Sequence, residues 1–283
     1  AADLQHPLFC ETDHCRLKHI KKGINCMIWF FIKKAFFDGW DNLISLILLN
    51  LGYVAVLGLG YLVFHAMQVS LLFGFFVLVA WVVLFQIYSG AVSFYAVYYV
   101  NYQRPGFREL LEEGKRALIY VPLISLITVM LVLVMFLVIP FYLSAPGLFS
   151  LFAASLVFWA SIYLAMVLLY FFPVAAQLKD RPVKVLKKSS LLVLDNLGLS
   201  FFLLFYTIFN GVISMFTAFL IPGFASILMS HQGALKLRMF KYDYLEEHPN
   251  TSRRDIPWDA LLMDEREKVG HRSIKGMIFP WKD

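Results

Sequence analysis

The chain has 283 residues, 60% apolar and 16% charged, against about 45–50% and about 25% in a soluble globular domain. The excess is carried by 28 Phe, 14 Tyr and 6 Trp together with aliphatic residues. A water-soluble domain is thereby excluded, and an all-α integral membrane protein is the reading that remains. The formal charge of +6 is gathered on a few segments instead of forming a nucleic-acid-binding stripe with base-stacking aromatics.

Taken in chain order, residues 1–26 read as a flexible N-terminal extension and a candidate non-native segment, because the chain opens on Ala1 and Met27 stands directly before the first membrane-associated stretch. No apolar stretch before a small-residue cleavage site marks a secretory signal here. All three cysteines, Cys10, Cys15 and Cys26, lie in it. Cys10, His14, Cys15 and His19 form only a weak zinc pattern, since structural zinc sites pair one short Cys spacing with a second pair further on. Reduced cytoplasmic thiols are the simpler reading, and neither a metal nor a cofactor is assigned.

The membrane domain, 27–240, contains three long windows, 42–103, 117–178 and 189–235, in which Asp195 is the one charged residue. A bilayer core takes roughly 20 helical residues, so each window fits two spans and a turn. The predicted spans are 43–64, 71–98, 118–141, 148–176, 191–209 and 212–235. Breaks are expected at His65 to Ser70, at Ser144-Ala145-Pro146-Gly147 and at Asn210-Gly211, with Pro222-Gly223 as a further kink or break. Unbroken apolar runs in place of period-two alternation exclude a β-barrel.

Basic residues resist translocation and collect on the cytoplasmic side. Of 25 Lys and Arg, all lie before the first window, in 104–116, in 179–188 or after 235, and none lies in the three expected turns. Six spans with both termini cytoplasmic satisfy this sorting, whereas five would put the last basic segment outside. The basic face is expected to meet anionic lipid headgroups, and Tyr95, Tyr98, Tyr99 and Tyr102 are expected to form an interfacial belt.

Each odd-numbered span is preceded by a membrane-surface segment. In 107–118, Phe107, Leu110, Leu111 and Leu118 fall on one helical face while Arg108, Glu109, Glu112, Glu113, Lys115 and Arg116 take the other. In 27–42, aromatic residues surround Lys33, Lys34, Asp38 and Asp41. The third segment, 182–190, is basic and weakly amphipathic. The chain thus reads as three tandem units of interfacial segment, span, turn and span.

Catalytic signatures are lacking: no phosphate-binding loop, HExxH or nucleophile elbow occurs in the cytoplasmic segments. Glu112-Glu113-Gly114 does not match the loop of ATP-driven importer permeases, whose Gly follows the Glu by about six residues. Intramembrane ionisable residues mark ion or proton pathways, and His65 and Asp195 are the two candidates; His65 sits at an outer turn, where a solvated imidazole is the simpler reading. Asp195 is read as lying two turns inside the fifth span, within reach of Lys188. Asn50, Gln86, Asp195 and Asn196 are the candidate polar contacts in the membrane, with helix-to-helix hydrogen bonding as their alternative role. The tail, 241–283, is cytoplasmic. It contains a predicted helix over Asp255 to Val269 with Trp258, Leu261 and Leu262 on one face and Gly270 as its stop. Phe279 and Trp281 lie in a later apolar cluster. These five residues either fold back onto the protein or dock a partner.

Three stretches, Phe36-Phe37-Asp38-Gly39-Trp40-Asp41-Asn42-Leu43 with Asn50-Leu51, Ser89-Gly90-Ala91 through Tyr99 to Gly106-Phe107, and Tyr170-Phe171-Phe172-Pro173 with Lys187-Lys188-Ser189, resemble the YesL-like family of bacterial membrane proteins, a domain of unknown function. The resemblance covers roughly 27–240. It implies a multi-pass protein of the bacterial plasma membrane, often encoded near carbohydrate uptake systems, and no catalytic residue. The functional classes carried forward are a non-catalytic accessory or scaffold protein, associated with another membrane subunit, and a transporter or channel for a small neutral solute.

Overall fold

The structure, a computed structural model, describes residues 13–251, 256–270 and 272, with side chains described from Met27 onward. Every regular element in them is helical. Among the described residues, five helical runs are long and apolar enough to cross a membrane: Leu43–Val69, Leu71–Val100, Phe107–Ser144, Leu148–Leu178 and Leu197–Phe216. They are consistent with a multi-pass membrane protein. The chain divides into two compact units, one formed by 1–37 and 236–283 and the other by 38–235. This division differs from the sequence boundaries at 26 and 240. Helix α1 (Asp13–Asp41) begins inside the segment read as an extension.

In the 38–235 unit, α2 (Leu43–Leu59) and α3 (Tyr61–Val69) are joined through Gly60, which keeps right-handed helical angles, and the run ends at Ser70 in extended backbone. Helix α4 (Leu71–Val100) returns antiparallel. Tyr88 donates to Leu49 O at 2.7 Å and Trp81 Nε1 to Val56 O at 2.8 Å, which lock the register of the pair. Gly52 makes room for this, since a Cβ there would fall 2.1 Å from the Tyr88 hydroxyl oxygen.

The amphipathic segment is helix α5 (Phe107–Ala117), as its periodicity predicts, and it packs against α4. It runs through one 3-10 turn, Leu118–Tyr120, into α6 (Val121–Leu133) without leaving helical backbone. The tightened turn precedes Pro122, which has no N–H to donate and whose ring crowds the carbonyl four residues back. The same chemistry accounts for the π-helical stretch Val134–Val138 ahead of α7 (Ile139–Ser144), which carries Pro140. After the turn at Ala145–Gly147, α8 (Leu148–Leu178) runs back and ends on Lys179 in left-handed conformation.

The third window departs from expectation. Helix α9 (Pro182–Asp195) is a separate element, and α10 (Leu197–Phe216) begins only after a corner at Asn196. Asn210-Gly211 does not break the chain. Asn210 donates its amide to Tyr206 O at 2.8 Å, one turn back, and so stays inside α10. The break lies instead at 217–222, before α11 (Gly223–Glu247). The predicted sixth span, 212–235, is therefore not one helix. Its first five residues end α10, 217–222 form the break, and 223–235 open α11.

The core of this unit joins Leu46, Leu49 and Tyr53 of α2, Val92, Tyr95, Ala96, Tyr99 and Val100 of α4, and Ala225 and Met229 of α11. Burying side chains of this size contributes about 1.5–3 kcal/mol each. Tyr95 and Tyr99 are thus core residues and not part of an interfacial belt. Tyr95 also donates to Pro105 O at 2.9 Å, which ties down the loop leading to α5.

Candidate functional site

Two amide side chains, Asn50 and Gln232, lie fully buried in the 38–235 unit. Asn50, fully buried, faces the break between α10 and α11. Its Nδ2 donates to Leu220 O at 2.8 Å and to Pro222 O at 2.9 Å, and its Oδ1 accepts from the Ala225 backbone N–H at 2.9 Å. Non-helical backbone inside a bilayer must find partners in the protein. One side chain thus satisfies two carbonyls at the break and one orphan N–H at the start of α11. Ser214 adds to this by accepting from Gly223 N–H at 3.0 Å while donating to Asn210 O at 2.6 Å. Gly223 has a φ of +67°, and a Cβ there would lie 2.2 Å from Asn50 Nδ2. Only glycine fits both the conformation and the approach.

Gln232, also fully buried, joins three helices. Its Nε2 donates to Ser93 O at 2.9 Å and Ser93 Oγ at 3.1 Å on α4, and its Oε1 accepts from Gln177 Nε2 of α8 at 2.9 Å. Beside it, buried His231 contacts Thr207 Oγ1 at 2.8 Å. The Thr207 hydroxyl donates to Leu203 O at 2.7 Å, so the imidazole Nε2–H is the donor in this pair. Tyr206 and Ser230 meet one residue away, at 3.3 Å.

Of the predicted contacts, Gln86 donates to Thr128 Oγ1 on α6 at 2.9 Å, and Thr128 passes the bond to Ile124 O. Asn196 is buried at the α9–α10 corner, with its amide on Leu192 O at 3.1 Å. Asp195 corrects the sequence reading. It is the last residue of α9 and exposed, not two turns inside a span, and Lys188 pairs with Asp180. That pairing holds the Asp180 carboxyl below its ordinary value. His65 is exposed on α3 against the edge of Tyr61. The sequence reading passes over His231 and Gln232, although both fall inside its own last span. A search for every polar residue in the spans, and not only for formal charge, finds them.

Compared with known protein families, with curated proteins and with solved structures, the chain matches none. The functional reading therefore rests on the chemistry of these side chains.

The unit formed by the chain ends has a different chemistry. Helices α12 (Trp258–Leu261) and α13 (Met263–Val269) are divided at Leu262, and Gly270 at φ +73° ends the second, where the sequence expects the stop. Glu265 is buried and paired with Lys34 of α1 at 3.2 Å and Lys236 of α11 at 2.9 Å, with Lys268 at 3.6 Å. Burial alone would raise its carboxyl, but Lys236 and Lys34 together hold it below the ordinary value. Lys33 Nζ donates to Gly270 O at 3.1 Å, and the Arg238 guanidinium lies 5.6 Å from the Trp258 ring centroid. Trp258 and Leu262 are buried by this packing and Leu261 is half-buried, while Phe279 and Trp281 lie outside the described residues.

Proposed function

We propose that this chain is a non-catalytic accessory or scaffold protein of the bacterial plasma membrane. The observation that carries the reading is the use made of Asn50 and Gln232. Both amides are wholly buried and spend their hydrogen bonds on a helix break and on neighbouring helices. Polar groups committed in this way hold helices together and are not offered to a solute. The resemblance to the YesL-like family adds an association with carbohydrate uptake. The sorting of Lys and Arg supports cytoplasmic termini, which require an even number of crossings. The turns at Ser70 and at Ala145–Gly147 then face outward, and the basic loops meet anionic headgroups. The rival reading, a transporter or channel for a small neutral solute, would draw on Gln86 and the His231–Thr207 pair.

Purification from the native membrane in mild detergent, without crosslinker, tests the proposal. A second membrane or ATPase subunit in fixed stoichiometry is the expected result. A solitary protein that carries a neutral sugar or polyol across liposomes would replace the accessory reading with the transporter.

A further inference from the structure

We infer that the exposed face of α9 carrying Lys184, Lys188 and Leu191 is the docking surface for a partner subunit, and that its occupant is an amphipathic helix bearing two carboxylates. The inference rests on the accessory reading proposed above. The chain builds one element twice, and the first copy, covered by the tail, shows what such a face takes.

The two copies are α1 and α9, each followed by a corner and an apolar helix. In both, six residues separate a Lys-Lys pair from an Asp-Asn-Leu triplet: Lys33-Lys34 from Asp41-Asn42-Leu43, and Lys187-Lys188 from Asp195-Asn196-Leu197. The corners share their hydrogen bonds. The Asn42 amide donates to Asp38 O at 2.9 Å and the Asn196 amide to Leu192 O at 3.1 Å, one turn back in each case. The carbonyls of the two asparagines accept from Leu46 N–H and Ser200 N–H, both at 2.9 Å, and so open the next helix. Exposure repeats in the same register. Trp29 and Val183 are each 72% exposed, Trp40 and Leu194 are 54% and 56% exposed, and Phe31 and Val185 are both buried.

One face differs between the copies. Phe30, Lys34 and Phe37 of α1 are buried, and the tail lies on them. The Arg266 guanidinium is 5.9 Å from the Phe30 ring centroid, Glu265 is 3.2 Å from Lys34, and the Arg272 guanidinium is 4.6 Å from the Phe37 ring centroid. The equivalent residues of α9 are Lys184, Lys188 and Leu191, and all three are exposed. At 3.6 residues per turn this face is centred about 110° round the helix from Val183 and Leu194. That apolar arc, built of tryptophans in the first copy, suits the membrane boundary and turns the lysine face toward water. Charge then decides the occupant. The tail answers Lys34 with Glu265 and sets Arg266 over Phe30, but α9 has Lys184 where α1 has Phe30. The occupant of α9 therefore needs one carboxylate for Lys188, in exchange for Asp180, and a second where the tail has Arg266. Around them it needs an apolar stripe like that of Trp258, Leu262 and Val269, which the tail buries.

A peptide of residues 256–270 carrying Arg266→Glu is the probe, added to the full-length protein in zwitterionic nanodiscs with a benzophenone side chain placed at Leu191 or at Val183. The expected result is labelling at Leu191 and little at Val183. Lys184→Glu together with Lys188→Glu, both on the exposed side of α9 and checked by an unchanged melting temperature, should reduce the labelling by about tenfold or more. The unsubstituted peptide should label less, because Arg266 would meet Lys184. Labelling that is absent, equal at the two positions or indifferent to the charge reversal overturns the inference. In native membranes the reporter at Leu191 is expected to join the chain to its co-purifying subunit at a helix with the two carboxylates, and the charge reversal should remove that product. A lipid adduct or a second copy of this chain at Leu191 in place of the subunit overturns the inference and leaves the accessory reading standing. If no subunit co-purifies, the accessory reading fails, and the peptide result still decides what the α9 face binds.

Discussion

Asn50 and Pro222, 172 residues apart, are joined by a 2.9 Å hydrogen bond from the Asn50 amide to the Pro222 carbonyl. The bond lies at the point where the last apolar window stops being helical. Because the same side chain also serves Leu220 O and Ala225 N–H, its removal strands three backbone groups at once. Leaving a buried group unsatisfied costs about 1–3 kcal/mol. Asn50→Leu is expected to lower the melting temperature in detergent by several degrees or to prevent assembly. Asn50→Asp keeps the acceptor for Ala225 but loses both donors, and should also destabilise. Gly223→Ala should resemble Asn50→Leu. Unchanged thermal unfolding in all three would show that the break is held by something else.

The second prediction concerns acid. The Glu265 carboxyl is held below its ordinary value of 4.5, so its contribution to stability is fully present above that value and is lost as pH falls through the lower folded-state value. Hydrogen-exchange protection of 258–269, corrected for intrinsic rates, is expected to hold from neutral pH down to that value and to fall below it. Glu265→Gln leaves Lys34 and Lys236 without the carboxylate that they share. Breaking one partner of a buried pair costs about 3–5 kcal/mol, so protection should already be low at neutral pH and the acid step should vanish. An acid step that survives Glu265→Gln would assign the transition to another group.

A third prediction separates two roles on α5. Leu110 is half-buried and packs on the core of the 38–235 unit, whereas Leu111 is 54% exposed. Leu110→Glu should destabilise the purified protein in detergent, through lost packing and a carboxylate pressed against apolar side chains. Leu111→Glu should leave detergent stability nearly unchanged and reduce the yield of membrane-assembled protein, because its surroundings are lipid. Equal effects from the two in both measurements would mean that α5 has no distinct lipid-facing side.

The first two hairpins were legible because charge-free runs bounded by basic residues leave little choice of helix length. The turns at Ser70 and Ala145–Gly147 followed from local residue types. The third hairpin was not legible in the same way. Asn210-Gly211 has turn residues, yet a helix absorbs them when Asn210 bonds back to Tyr206 O. The true break is held by Asn50, far away in sequence, and no local pattern announces such a partner. Tyr95 and Tyr99 show the same limit, since tyrosines suit either an interface or a core with a reachable acceptor, and Pro105 O supplies one for Tyr95. On the tail, Gly270 ends a helix as its residue type suggests, but the single helix expected over Asp255 to Val269 is divided at Leu262 into α12 and α13. The Lys34–Glu265–Lys236 cluster depends on three separate helices and could not be read in advance.

The central claim, that the buried polar groups join helices and do not conduct a solute, is tested most directly by stopped-flow light scattering of proteoliposomes shrinking under a gradient of a small neutral polyol. Vesicles containing the protein are predicted to relax at the rate of protein-free vesicles of the same lipid. Faster relaxation that Gln86→Leu or His231→Leu abolishes, with the variant protein still folded, would contradict the account.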